Sequence, residues 1–308
     1  LAHRASVIVV VVVTWLAAFL CARELARVAG AETALARAVC ASTLAAALLA
    51  VLPGELTRVV GDFDVALAIA CAVFVAGVVA LRRVRTNDAA LPAFVPPHPI
   101  AYVVGALGLA CVVDGALTRN FFDEDHHVPM LTVIARGVVP PQHPLAPGDA
   151  IPYHWGIDAL YAQLFAGHLR PDTAIDVVTI LCWPLLFFAA AWLGGAVRGK
   201  VGATLGAIVT PLAGSALAWP LHDDMGVLQL SQPWPDAWHQ WDRRPPPITA
   251  DYFQHPQGLA FSLVIVVLVV FTLGRGKKAA AVGALLLACL SLVQSVHFVV
   301  VGFALTAS

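Results

Sequence analysis

The sequence predicts an all-α fold: a polytopic bundle of about eight transmembrane helices, with short interfacial helices in its first long outer loop. Three observations carry that expectation. Of the 308 residues, 60% are hydrophobic and only 12% are charged, roughly half the charge of an ordinary soluble domain. Mean hydropathy is +0.83, too apolar for a surface that faces water. Apolar runs long enough to cross hydrocarbon recur near 6–22, 31–52, 64–81, 99–117, 174–196, 201–219, 257–273 and 279–305. A soluble enzyme, a disordered tail and a disulfide-stapled secreted domain are thereby excluded. A net charge of −1 gives no electrostatic reason to expect a nucleic acid partner, whereas the lipid bilayer is an expected one.

Each run must be helical, because backbone groups in lipid find no water to bond. Arg4 before the first run resembles the start of a signal peptide. No small-residue cleavage site follows it, so the run counts as a span. Pro184 and Pro211 fall inside spans, where they kink rather than end a helix. The six cysteines all sit in apolar runs without metal-ligand spacing and read as small buried hydrophobes. The last run reaches almost to Ser308 with no polar flank, as expected of a chain whose C-terminal part is incomplete.

Basic residues set the orientation. Arg23 and Arg27 follow the first run, Arg82, Arg83 and Arg85 the third, Arg198 and Lys200 the fifth, and Arg275, Lys277 and Lys278 the seventh. Every second connection is short and basic, which the positive-inside rule assigns to the cytoplasm. The two long connections, 118–173 and 220–256, then face outward, and they hold an excess of Asp, His, Trp and Pro. Loops this long and polar in so apolar a chain point to function.

The first outer loop opens with Phe121-Phe122-Asp123-Glu124-Asp125-His126-His127. Crowded carboxylates raise one another's pKa, which suits a general base near neutral pH, and Asp123 and Asp125 also offer oxygen ligands to a metal. The same acidic residues would equally favour the start of a helix. Residues 128–136 form an amphipathic stretch too short to span, ending at Gly137 before Pro140-Pro141. Pro152-Tyr153-His154-Trp155-Gly156 then opens a second short helix, Ile157 to His168, carrying Asp158 and Tyr161. Tyr and Trp there suit the membrane interface.

In the second outer loop, His222-Asp223-Asp224 precedes Trp234, Trp238 and Trp241, followed by Asp242-Arg243-Arg244 and His255. Aromatic faces stack on sugar C–H faces, and Trp also belts membrane interfaces without any ligand. Arg243 and Arg244 offer guanidinium forks that match phosphate oxygens, and they suit lipid headgroups as well. Asp114, Asp176, Gln294 and His297 lie in the outer parts of spans, where polar groups are costly, so they suggest a polar cavity facing outward. A buried histidine bonded to a neighbouring helix is the plainer reading of His297.

The order of the first outer loop resembles that of GT-C glycosyltransferases, membrane enzymes that use polyprenyl-phosphate sugars. The residues that carry the resemblance are Asp123-Glu124 with His127, the helix end Ile134-Ala135-Arg136-Gly137, and Pro152-Tyr153…Gly156. Weaker support comes from Asp251-Tyr252-Phe253-Gln254-His255 and His297. Three spans precede the acidic loop, which divides the chain into an N-terminal module, 1–98, and a GT-C-like core, 99–308. The resemblance implies transfer of a sugar from a polyprenyl-phosphate donor to an acceptor hydroxyl on the outer side of a bacterial inner membrane. It makes Asp123 the first choice of base, with Glu124 and Asp125 behind it, and it allows a divalent cation, Mg or Mn, at Asp123 and Asp125. His127, Tyr153, His154, Trp155, Trp238, Arg243, Arg244, His255 and His297 become the expected substrate-binding residues. A transporter, or a non-catalytic subunit of a cell-envelope complex, remains the alternative.

Overall fold

The computed structural model describes residues 2–86, 90–117, 124–143, 146–150, 155–212 and 257–306. These segments are mostly helical, with one small antiparallel ladder and an extended stretch over 90–98. The helices are α1 (Ala2–Val28), α2 (Ala34–Val60), α3 (Phe63–Arg82), α4 (Pro99–Leu117), α5 (Glu124–Ala135), α6 (Gly156–Ala166), α7 (Pro171–Leu212), α8 (Gln257–Leu268), α9 (Lys277–Val293) and α10 (Ser295–Thr306). A π-helical turn, Val269–Leu273, extends α8, and β1 (Gln142–His143) pairs with β2 (Ala146–Ala150) between α5 and α6.

Among the described residues, four stretches are long and apolar enough to cross a membrane: Val7–Val28, Ala34–Val60, Phe63–Arg82 and Pro171–Val209. The helices also behave as lipid-solvated elements. Val9, Val12 and Leu16 on α1, Val73 and Val79 on α3, and Val201, Leu205 and Val209 on α7 stand exposed. Such rows of bare aliphatic side chains suit hydrocarbon and would be costly in water.

The last of these stretches is not one straight rod. Arg198 and Gly199 leave helical geometry, and Gly199 takes φ 58°. Beyond them the chain doubles back: a Cβ on Gly202 would lie 2.1 Å from the Gly194 carbonyl oxygen, and one on Gly206 2.4 Å from that of Ala190. Pairs 194/202 and 190/206 are symmetric about residue 198, so the two limbs are antiparallel. Small residues let their backbones touch, the usual device where no hydrophobic effect drives helices together. The break also separates the expected spans 174–196 and 201–219.

A segment around 90–98 crosses one end of the bundle and ties its helices together. Leu91 N–H donates to the Gly30 carbonyl (3.1 Å), Phe94 N–H to Thr33 Oγ1 (3.3 Å) and His98 N–H to Thr204 Oγ1 (2.8 Å). Trp192 Nε1 donates to the Pro92 carbonyl at 2.9 Å, and Ala90 bridges Arg275. Arg27 reaches the Leu81 and Val84 carbonyls, and Lys278 donates to the Arg85 carbonyl. All four basic connections therefore gather at this end.

The opposite end holds the link between α2 and α3, together with α5 and the end of α6. Gly61 closes α2 at φ 75°, and Asp62 caps α3 by accepting the Val65 N–H at 2.9 Å. Gly137, at φ 90°, backs onto this link so closely that a Cβ would meet the Gly61 carbonyl oxygen at 2.5 Å. Only glycine fits both the conformation and the space.

α6 departs from the expectation of a surface helix. Every residue from Gly156 to Gln163 is buried, Asp158 and Tyr161 included. It is wedged among α1, α2, α5, α7 and α9. Pro53 explains the fit on the α2 side. A proline supplies no N–H, so the Leu49 carbonyl four residues earlier loses its helical donor. Gln163 Nε2 donates to that oxygen at 2.6 Å, while its Oε1 accepts from Trp15 Nε1 at 3.0 Å. One side chain thus satisfies α2 and fastens α6 to α1.

Candidate functional site

α5 begins at Glu124, inside the acidic run, so the run leads directly into a helix. Of Glu124 and Asp125 the backbone is described, in the first turn, while Asp123 lies outside the described residues. Tyr153, His154, Trp238, Arg243, Arg244 and His255 also lie outside them. Three expected residues, His127, Trp155 and His297, are placed with their side chains.

His127 sits one turn into α5 and points into the bundle with Leu131 and Ile134; all three are buried. Its Nδ1 lies 2.6 Å from Asp158 Oδ1 on α6, and the two side chains are 1% and 0% exposed. Tyr161, one turn on from Asp158, meets the imidazole edge-on with ring centroids 6.2 Å apart. Asp158 Oδ2 is buried without a hydrogen-bond partner. Burial pushes the Asp158 carboxyl up from its ordinary value, against the opposing pull of His127. The pair fastens the helix that begins in the acidic run to the helix inside the bundle. Asp158, which the sequence places on a short helix without a role, is the partner that the fold gives His127. Its signal is a carboxylate in an otherwise uncharged eleven-residue helix, but nothing in the chain reveals that its partner lies 31 positions earlier.

Trp155 is buried, with its ring against α2. A Cβ on Gly54 would fall 2.2 Å from its Cζ3, so the ring fills the notch that this glycine leaves. Gly156 then presses against α9, where a Cβ would sit 2.8 Å from the Leu292 carbonyl oxygen. Together these two residues fix where α6 starts.

His297 stands on α10, half-buried, its ring edge-on to Phe261 at 5.0 Å. Just before it the chain breaks at Gln294, whose φ of −159° and ψ of 99° end α9 and let α10 begin anew. Gln294 is 5% exposed, and both its Oε1 and His297 Nδ1 are buried without hydrogen-bond partners. The eighth apolar run is thus two helices with a polar joint. Asp176, on the first turns of α7, is buried too.

An apolar cavity of about 540 Å³ lies between α1, α2, α6 and α7. Trp15, Val39, Leu49, Leu160, Cys182 and Pro184 line it, and it is partly open. Leu160 is two residues from Asp158, so α6 separates this space from the buried pair. Among the described residues, no three metal-ligating side chains cluster. Comparison of the chain with known protein families, curated proteins and solved structures returns no match.

Proposed function

We propose that the protein is an integral-membrane glycosyltransferase of the GT-C kind, moving a sugar from a polyprenyl-phosphate donor to an acceptor hydroxyl outside a bacterial inner membrane. On this reading the two limbs of α7 count as two crossings and α9–α10 as one broken crossing, for about eight in all. The positive-inside rule then turns the end carrying α5 outward.

The observation that carries the reading is the buried His127–Asp158 pair, which holds the helix leading from the acidic run against a bundle with an apolar cavity. The cavity suits an isoprenoid chain arriving from the bilayer. Asp123, or Glu124 or Asp125 beside it, takes the acceptor hydroxyl proton as the acceptor oxygen bonds to the anomeric carbon. The bond from that carbon to the phosphate oxygen breaks, and its electron pair leaves with the polyprenyl phosphate. Arg243 and Arg244 neutralise the charge that develops there. A divalent cation at Asp123 and Asp125, when bound, supplies further positive charge. His127 and Asp158 touch no reacting atom in this scheme; they are positioning residues.

The test uses the purified full-length protein in nanodiscs with a panel of polyprenyl-phosphate sugars, following release of polyprenyl phosphate. Wild type should release it, and Asp123→Asn should not while folding normally. Equal release by both would remove Asp123 from the role of base. No release from any donor, even with cell-envelope acceptors added, would put transport or scaffolding ahead.

A carrier is the second reading, favoured by the break at Gln294. Interrupted helices with exposed polar groups form the binding sites of many transporters. In that case His297→Ala should abolish substrate flux, and Asp123→Asn should leave it unchanged.

A further inference from the structure

Away from the apolar cavity, a second cleft of about 590 Å³ opens at the end opposite the basic connections. Its lining is mixed and includes Val7, Asp64, Ala135, His168, Leu169 and Arg170. Its level in the membrane follows from the helices around it. The membrane-length helices α3 and α7 begin at Phe63 and Pro171, and each of these residues lines the cleft or adjoins one that does. The cleft therefore lies where hydrocarbon gives way to headgroups, closed on one side by the end of α5.

The polar residues there are differently placed. Asp64, on the first turn of α3, is exposed and has no cationic partner among the described residues. Arg170 is 80% exposed, and its Nη2 meets Asp172 Oδ2 at 3.0 Å. Asp172 Oδ1 in turn accepts the Thr173 N–H at 2.8 Å, which anchors the arginine to the start of α7. His168 closes α6 at φ 70°. Its N–H donates to the Phe165 carbonyl (2.8 Å) and that of Leu169 to the Leu164 carbonyl (3.1 Å), the paired bonds of a helix end that normally takes glycine at this position. Gly167 stands one place too early to serve. A histidine here accepts a backbone cost that a glycine would avoid, and it lines the cleft.

We propose that this cleft binds the headgroup of a zwitterionic phospholipid with a primary ammonium, as in phosphatidylethanolamine. The phosphate oxygens take N–H groups from Arg170 and His168, and the ammonium donates to the Asp64 carboxylate. A primary ammonium has three N–H donors, whereas a quaternary choline has none, so Asp64 distinguishes the two headgroups. The site is independent of the sugar-transfer reading.

Native mass spectrometry of the full-length protein, delipidated and then titrated with defined lipids, tests the assignment. Wild type should retain phosphatidylethanolamine about tenfold better than phosphatidylcholine, the ratio expected from one charge-assisted hydrogen bond. Asp64→Asn should erase that preference. His168→Gly should weaken retention of both lipids while leaving the melting temperature unchanged or raised, because glycine suits the conformation; this separates binding from folding. Soluble phosphoethanolamine should displace the lipid better than inorganic phosphate does. Equal retention of the two lipids by wild type, or a preference that survives Asp64→Asn, overturns the proposal. Equal displacement by phosphoethanolamine and phosphate overturns it too, by making the cleft a simple anion site.

Discussion

Asp158 concentrates the energetics of the candidate site in one carboxyl group. It is fully buried against a buried histidine at 2.6 Å, so truncating it removes that hydrogen bond and leaves a void beside the imidazole. Losing a buried hydrogen bond of this kind costs about 1–3 kcal/mol. Asp158→Ala should therefore lower the melting temperature sharply, and Asp158→Asn, which keeps a carbonyl oxygen for the histidine, should do so less. The pH dependence has a definite sign. Burial raises the folded-state pKa above the unfolded value of about 3.9, so above that pH the unfolded chain binds fewer protons than the folded one. This carboxyl's contribution is then fully present in acid and is lost as pH rises through the folded pKa. Melting temperature measured in nanodiscs from about pH 4 upward should show that fall in wild type, and the fall should shrink in Asp158→Asn. A wild-type curve indistinguishable from that of Asp158→Asn would mean that the pair does not titrate as its burial requires. Sequence alone shows the two residues but no distance between them, which is why His127 was legible as a candidate and its partner was not.

Between elements, the decisive contact is the one made by Gln163. Its amide answers a carbonyl that Pro53 leaves without a donor, and it also binds Trp15. Interhelical hydrogen bonds in membranes contribute about 0.6 kcal/mol each on average, so Gln163→Leu should cost about 1–2 kcal/mol. The coupling to proline is the sharper test. Pro53→Ala restores an N–H to the Leu49 carbonyl, so Gln163→Leu should cost less in that background. A double-mutant cycle on thermal stability should give a non-zero interaction term. Additive effects would show that the glutamine holds α6 through Trp15 alone. Helix positions were well marked in the chain, since hydrocarbon forces every long apolar run into a helix. The chain did not display what interrupts them. The turn at Arg198 and Gly199 coincides with a basic pair and was legible; at Gln294 the polar residues of the eighth run suggested a cavity, not a break. The burial of α6 was hidden for the same reason as its pairing: amphipathic spacing describes a helix with one wet face, and packing from five neighbours overrides it.

The whole molecule has two unlike ends. One collects Arg27, Arg82–Arg85, Arg198–Lys200 and Arg275–Lys278 around the 90–98 segment. The other collects the α2–α3 link, α5, the end of α6 and the mixed cleft. Neighbouring connections alternate between the ends, which is the pattern the basic residues already displayed in the chain. If the bundle crosses a bilayer in this sense, single cysteines at Arg83 and Lys277 should react with a membrane-impermeant maleimide only after the cell is opened. Cysteines at Asp62 and Arg136 should react in intact cells. These four side chains are exposed, and replacing the native cysteines with alanine removes the background. Labelling of all four from one side would separate the helices from the membrane orientation and, with it, the outward placement of the acidic run. Labelling in the opposite sense would keep the bundle and move the chemistry to the cytoplasmic face. There the donors are nucleotide sugars as readily as lipid-linked ones, so the side on which Arg136 reacts also decides which class of donor to assay first.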